Sequence, residues 1–156
     1  MFHDFDKAIT VEQEHVAGIN QWVKQFVRVV PVELEDDKLG IDCYWERGAK
    51  LLPVQYKIDI RSQDTGNYFI EYETLTQYGT SSYGWLQKLA GNILLVLYTP
   101  PNLLVTLQPD TLRTFVNDTR GEYRSVTVHS NNWSVKGYVI PCKTIHKLAT
   151  NIWKMN

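Results

Sequence analysis

Apolar positions recur along this chain with two different periods. Between residues 10 and 26, Val11, Val16, Ile19, Trp22, Val23 and Phe26 fall on one side at helical spacing, which predicts an amphipathic helix with Thr10 as its N-cap. Stepped round that helix, Val16, Ile19 and Val23 mark the centre of the apolar stripe; Glu12 lies on the same line and Glu14 points away. From residue 40 the period shortens to two. Residues 40–46, 54–61 and 68–74 read as strands, separated by Arg47-Gly48 with Pro53 nearby and by residues 62–67 with Gly66, so an antiparallel meander is expected.

The acidic stretch 31–38 is expected to be a loop or an edge, and the Gly/Ser/Tyr-rich stretch 79–91 holds a short helix at 85–89. Residues 92–99 and 103–107 are strongly apolar and flank Pro100-Pro101-Asn102, the pattern of a buried hairpin. A short helix at 111–116, strands at 123–128 and 133–140, and a terminal helix from about Lys143 complete the order. Helix, strands, helix and further strands without repeats predict an α+β domain built on a mixed sheet.

Composition narrows this picture only a little. The 156 residues suit one domain, and 44% hydrophobic with 21% charged residues excludes disordered and fibrous classes. A net charge of −1 gives no bulk attraction to phosphate, which leaves only a local basic groove as a route to nucleic acid. Cys43 and Cys142 form no CxxC pair and read as reduced core cysteines. The start lacks the basic and apolar regions of a signal peptide, and no apolar run reaches membrane-spanning length, so a cytoplasmic protein without a membrane partner is expected.

Candidate chemistry sits on the second strand. Alternation sends Val54, Tyr56, Ile58 and Ile60 to one face and Gln55, Lys57, Asp59 and Arg61 to the other, so Gln55 and Lys57 stand side by side. Asp42 lies in the preceding strand, where a buried and unpaired carboxylate is costly. Phosphodiester hydrolysis needs hard oxygen ligands for Mg²⁺ or Mn²⁺ and a cation for the developing charge. Asp42, the Gln55 side-chain carbonyl and the Tyr56 main-chain carbonyl supply the oxygens, Lys57 supplies the cation, and Glu12 reaches the metal or its water from the helix. The same residues also admit a plain structural reading: a solvated strand face, a capping Asp and a first-turn acid on a helix dipole.

The order of a helical Glu, a strand Asp and Gln-x-Lys on the next strand resembles the PD-(D/E)XK, or restriction-endonuclease-like, nuclease superfamily. The likeness spans roughly residues 12 to 116. The motif's proline is absent, since Gly40-Ile41 precede Asp42, and Gln55 stands for the acid. Both departures occur in that superfamily, compact homing endonucleases among its members. Residues 65–71, the passage Gly84-Trp85-Leu86-Gln87-Lys88 and the stretch 104–107 running into Leu112-Arg113 add to it, although Gly91 stands where an aspartate is expected beside Ala90. The resemblance implies an αβββαβ core with appended C-terminal strands and helix, and a metal-dependent DNA endonuclease. Its site residues are Glu12, Asp42, Gln55 and Lys57, with Asp42, Gln55, Tyr56 and Glu12 around Mg²⁺ or Mn²⁺ and Glu71 and Lys88 second in rank. A degraded DNA-binding or assembly module on the same fold is the alternative that Gln55 leaves open. DNA is the expected partner, and a homo-oligomer is expected because two-fold DNA sites match two-fold proteins.

Other combinations carry less. Cys142 and His146 have zinc-ligand spacing without a second pair, and His15 beside the helical stripe reads as a packed histidine. Tyr78, Tyr83 and Trp85 suit either base stacking or the core.

Overall fold

The computed structural model describes residues 2–37 and 39–156, with side chains from Val11 onward except that of Asp36. Met1 and Lys38, the end of the acidic stretch, lie outside the described residues. Helix α1 (Phe2–Val23) is longer than its apolar stripe, because it runs back through Thr10, which is therefore interior and no N-cap. Among its described side chains, Ile19 and Val23 are buried and Val16 half-buried, while Glu12 is exposed. Phe26, expected on the stripe, falls in the turn after the helix and is exposed.

Strand β1 (Arg28–Pro31), at the edge of a sheet, leads into the acidic stretch, where a short helix α2 (Leu34–Asp37) forms. Next come β2 (Cys43–Arg47), β3 (Lys50–Ile58), a one-turn helix α3 (Ser62–Thr65), β4 (Asn67–Thr76), β5 (Ser81–Tyr83) and α4 (Trp85–Lys88). The chain then runs through β6 (Leu94–Thr99), β7 (Leu103–Leu107), α5 (Pro109–Asp118), β8 (Arg124–His129), β9 (Trp133–Pro141), α6 (Cys142–His146) and β10 (Asn151–Lys154). Two sheets result, a mixed six-stranded one in the order β1-β2-β3-β6-β7-β10 and an antiparallel one in the order β5-β4-β9-β8. Among the described residues no helix is long and apolar enough to cross a membrane.

The meander expected of the first three strands does not form. β2 and β3 pair antiparallel through Cys43↔Val54, but the other edge of β3 is taken in parallel by β6, with Gln55 beside Leu95 and Lys57 beside Leu97. β4 leaves this sheet and pairs with β9. Period-two alternation identifies a strand and its faces, while the choice of partner is a long-range matter it does not encode. The terminal segment likewise divides into the short α6 and an edge strand, β10, on β7.

The apolar run in β6 follows from its central position, since both faces are covered. Val96 and Tyr98 join Ile19, Val23, Cys43, Trp45, Val54 and Tyr56 in a layer under α1. Leu95 and Leu97 join Tyr68, Ile70, Leu86, Leu112, Ile140 and Ile145 in the layer between the two sheets. Gln55 and Lys57 lie on this second side of β3, next to Leu95 and Leu97 but outside the apolar cluster. Polar side chains thus line the seam where β4 approaches β3 without pairing with it.

Candidate metal and phosphate site

Tyr56 anchors the site from below. Its hydroxyl donates to Asn20 Oδ1 of α1 at 2.6 Å and accepts from Trp45 Nε1 at 3.0 Å, which sets the helix against β3. Glu12 lies about two turns before Asn20 and stands at the free end of this contact. Cys43, buried and unoxidised, donates to the same hydroxyl at 3.4 Å, and burial raises its thiol to about 11, so the expectation of an inert core cysteine fits.

Above that ring, the main chain of Tyr56 is left without a strand partner on one side. The β2–β3 ladder closes at Cys43↔Val54, extended by the Asp42 N–H donating to Val54 O at 2.8 Å. Gly40, at φ +84°, then turns the chain away. The Tyr56 N–H that faces this gap donates instead to Asp42 Oδ2 at 2.7 Å. Asp42 therefore sits one residue before β2, not in mid-strand, and closes the ladder with its side chain. A residue's N–H and C=O leave a strand by the same edge, so the Tyr56 carbonyl also opens on the gap, where it accepts from Gln55 Nε2 at 3.2 Å. A Cβ on Gly40 would stand 3.5 Å from Gln55 Oε1, so the amide end of Gln55, the Tyr56 carbonyl and Asp42 meet beside Gly40.

The charges around this point are mutually adjusted. Burial raises the carboxyl pKa of Asp42, although the side chain keeps solvent access; the Tyr56 N–H and Lys57 oppose the shift, and Glu12 and Asp37 reinforce it. Burial lowers the Lys57 pKa, opposed by the nearby negative charges of Glu71, Asp42 and Glu12. Glu71 is raised by burial and held down by Lys57 and Lys88. The Lys57 ammonium lies 5.2 Å from the centroid of the Trp85 ring, a cation–π contact worth roughly 0.5–2 kcal/mol depending on how dry it is.

Glu12, Asp42, Gln55, Lys57, Glu71 and Lys88 thus lie in one electrostatic neighbourhood, with Tyr56 supplying main chain. Among the described residues, however, no three His, Cys, Asp or Glu side chains stand at metal-ligating range. The oxygens at the gap are one carboxylate, one amide and one carbonyl, a hard donor set of the kind Mg²⁺ and Mn²⁺ take. The 3.2 Å between the Gln55 amide end and the Tyr56 carbonyl is near the ~2.9 Å between adjacent oxygens of an octahedral Mg²⁺, so these two groups suit one ion once the amide presents its oxygen.

Trp85, whose sequence setting suits either core or stacking, joins the candidate site through the Lys57 ammonium. Arg113 fixes α4 by donating to Leu86 O at 2.8 Å and Leu89 O at 2.6 Å, and so holds Trp85 beside Lys57. Tyr78 and Tyr83 are exposed. The other sequence candidates stay outside. His15 packs at 5.3 Å against the Tyr98 ring, and His146 meets the Tyr68 hydroxyl at 2.9 Å and no metal cluster.

No protein-family profile matches the chain, and no curated protein matches it. Among solved structures it is similar to a bacterial homing endonuclease, I-Ssp6803I, at 20% identity and TM-score 0.45, over 76% of this chain and 70% of that one. A likeness of that size assigns no role to any side chain.

Proposed function

We propose that this chain is a DNA endonuclease of the PD-(D/E)XK type that works with Mg²⁺ or Mn²⁺. The observation that carries the reading is the Tyr56 main chain at the gap. Its N–H is taken by Asp42 and its carbonyl is turned to the Gln55 amide, so a carboxylate, a main-chain carbonyl and a side-chain amide converge one residue before a half-buried lysine. A bound Mg²⁺ supplies Lewis acidity to the scissile phosphate and acidifies its own water. Asp42, Gln55 and the Tyr56 carbonyl would hold the ion, and Glu12 would add a negative charge from α1. Lys57 places a positive charge where charge grows on the phosphorus oxygens, held there by the Trp85 face and by Glu71. Burial raises the Glu71 carboxyl pKa, and Lys57 and then Lys88 oppose that rise. The active species in this reading is a homo-oligomer, because two-fold DNA sites match two-fold proteins.

Manganese calorimetry and DNA cleavage test this together. The native protein is expected to bind Mn²⁺ and to nick or cut DNA only with metal, and Asp42→Asn to lose both. Without metal the sign reverses. A carboxyl whose folded pKa is raised contributes stability below its ordinary value of 3.8 and loses it as pH rises through the folded value, so at pH 7 metal-free Asp42→Asn should melt at or above the native temperature. Gln55 favours one rival, a degraded DNA-binding module on the same fold. A native protein that binds DNA but takes up no Mn²⁺ and cuts no DNA form would establish the rival instead.

A further inference from the structure

β3 and β4 meet at the seam without a ladder between them, yet Lys57 on one and Glu71 on the other must keep a fixed relation. Asp59 provides the tie. It follows Lys57 by two residues, just past the end of β3, and its own N–H continues the parallel ladder by donating to Tyr98 O at 3.0 Å. Its carboxylate accepts from Phe69 N–H at 2.9 Å and from Ser62 N–H at 3.1 Å. Phe69 precedes Glu71 by two residues. At this level β9 lies on one edge of β4, while β5 begins only opposite Glu73, so the second edge is open. Asp59 occupies that open edge at Phe69, and Gly84 lies against it at the Glu71 carbonyl.

The surrounding polar groups brace the tie. Ser62 Oγ donates to Asp59 O at 2.6 Å and meets Thr99 Oγ1 at 2.9 Å; Thr99 reaches the Tyr68 hydroxyl at 3.2 Å, which meets His146 Nε2. A two-sided carboxylate clamp on main-chain N–H groups is directional and short, whereas the apolar packing nearby tolerates sliding.

We infer that Asp59 is a positioning residue which, by clamping Phe69 N–H to the end of β3, sets where Glu71 stands relative to Lys57. The inference rests on the nuclease reading for its catalytic consequence and on the hydrogen bonds alone for its structural one. Asp59→Asn keeps the size and one acceptor but turns an amide toward the second N–H. It is expected to lower kcat for Mg²⁺-dependent DNA cleavage about 10-fold, with KM and Mn²⁺ affinity unchanged. In a Glu71→Gln background the same substitution should change kcat less than about 2-fold, because the group it positions is already gone.

Equal losses in both backgrounds, or a parallel loss of Mn²⁺ affinity, would overturn the inference, since Asp59 would then merely hold the fold. Asp59→Glu, which keeps the charge and displaces it by one methylene, replaces Asp59→Asn if that variant does not fold; failure of both to fold overturns the inference as well. If the native protein cuts no DNA, the nuclease reading falls and amide hydrogen exchange decides the clamp. Protection at Phe69, Ile70 and Glu71 should drop in Asp59→Asn while that of Thr74 to Thr76 persists, and unchanged protection at the first three would remove the clamp too.

Discussion

Lys57→Ala is expected to lower kcat for metal-dependent DNA cleavage by about 10³-fold, roughly 4 kcal/mol of transition-state stabilisation, with little change in KM. The size follows from the position of the ammonium. It is half-buried, it faces the Trp85 ring at 5.2 Å, and three carboxylates act on it, so water screens little of its effect on a phosphate at the gap. Folding should survive. A lysine whose folded pKa is depressed contributes stability above its ordinary value of 10.5 and loses it as pH falls through the folded value. At pH 7 the buried charge is therefore a cost, and its removal should leave the melting temperature unchanged or higher once the lost cation–π contact is counted. The native pH–rate profile should also fall on the alkaline side below 10.5, where Lys57 loses its proton. Single-turnover kinetics on Lys57→Ala check this, and activity within 10-fold of native would put the reacting phosphate elsewhere.

Gly84→Ala is expected to destabilise the protein by about 3 kcal/mol, the upper end of the usual overpacking range, and so to lower its melting temperature by roughly 6–12 °C. Backbone conformation is not the reason: φ −70° and ψ 176° suit any residue. Space is. A Cβ on Gly84 would lie 2.5 Å from the Glu71 carbonyl oxygen, 2.6 Å from its carbon and 2.7 Å from the Tyr72 nitrogen. These are main-chain atoms of a strand laddered to β9, with a bulge between Glu71 and Glu73 at this level, and Gly84 N–H itself donates to Tyr72 O at 2.9 Å. Nothing there can rotate away, so α4 must move, and Trp85 and Lys88 with it. Gly18→Ala is the contrast, since a Cβ there meets nothing within 4 Å on an exposed helix face, and it should stabilise by about 0.5–1 kcal/mol. Thermal melts of the two variants check both; a Gly84→Ala melt within 2 °C of native would mean that α4 is not seated on β4 as described.

The two variants also mark the line between what was legible in the residues and what was not. Lys57 announces itself, because alternation through Val54, Tyr56 and Ile58 fixes which face it takes. Gly84 does not, because its constraint comes from a strand twelve residues earlier in the chain. Asp42 falls between these cases: its carboxylate was identified as a site group, but its task at the end of the β2–β3 ladder depends on a register and on the turn at Gly40. Trp85 and Asp59 took their places at the site only through α4 and the β4 edge.

Local patterning determined the α+β class, the strands β6 and β7, the part of β3 from Val54 to Ile58, the centre of the α1 stripe at Ile19 and Val23, and the side of β3 on which Gln55 and Lys57 stand. These are properties of residues within a few positions of one another, governed by helix and strand periods. Tertiary structure alone decided that β6 and not β4 lies beside β3, that α1 extends back through Thr10, and that Glu71 comes to Lys57 across an unpaired seam. Partner choice between strands is settled by the sum of many distant contacts in two buried layers, and a period of two is the same whichever neighbour the strand finally takes.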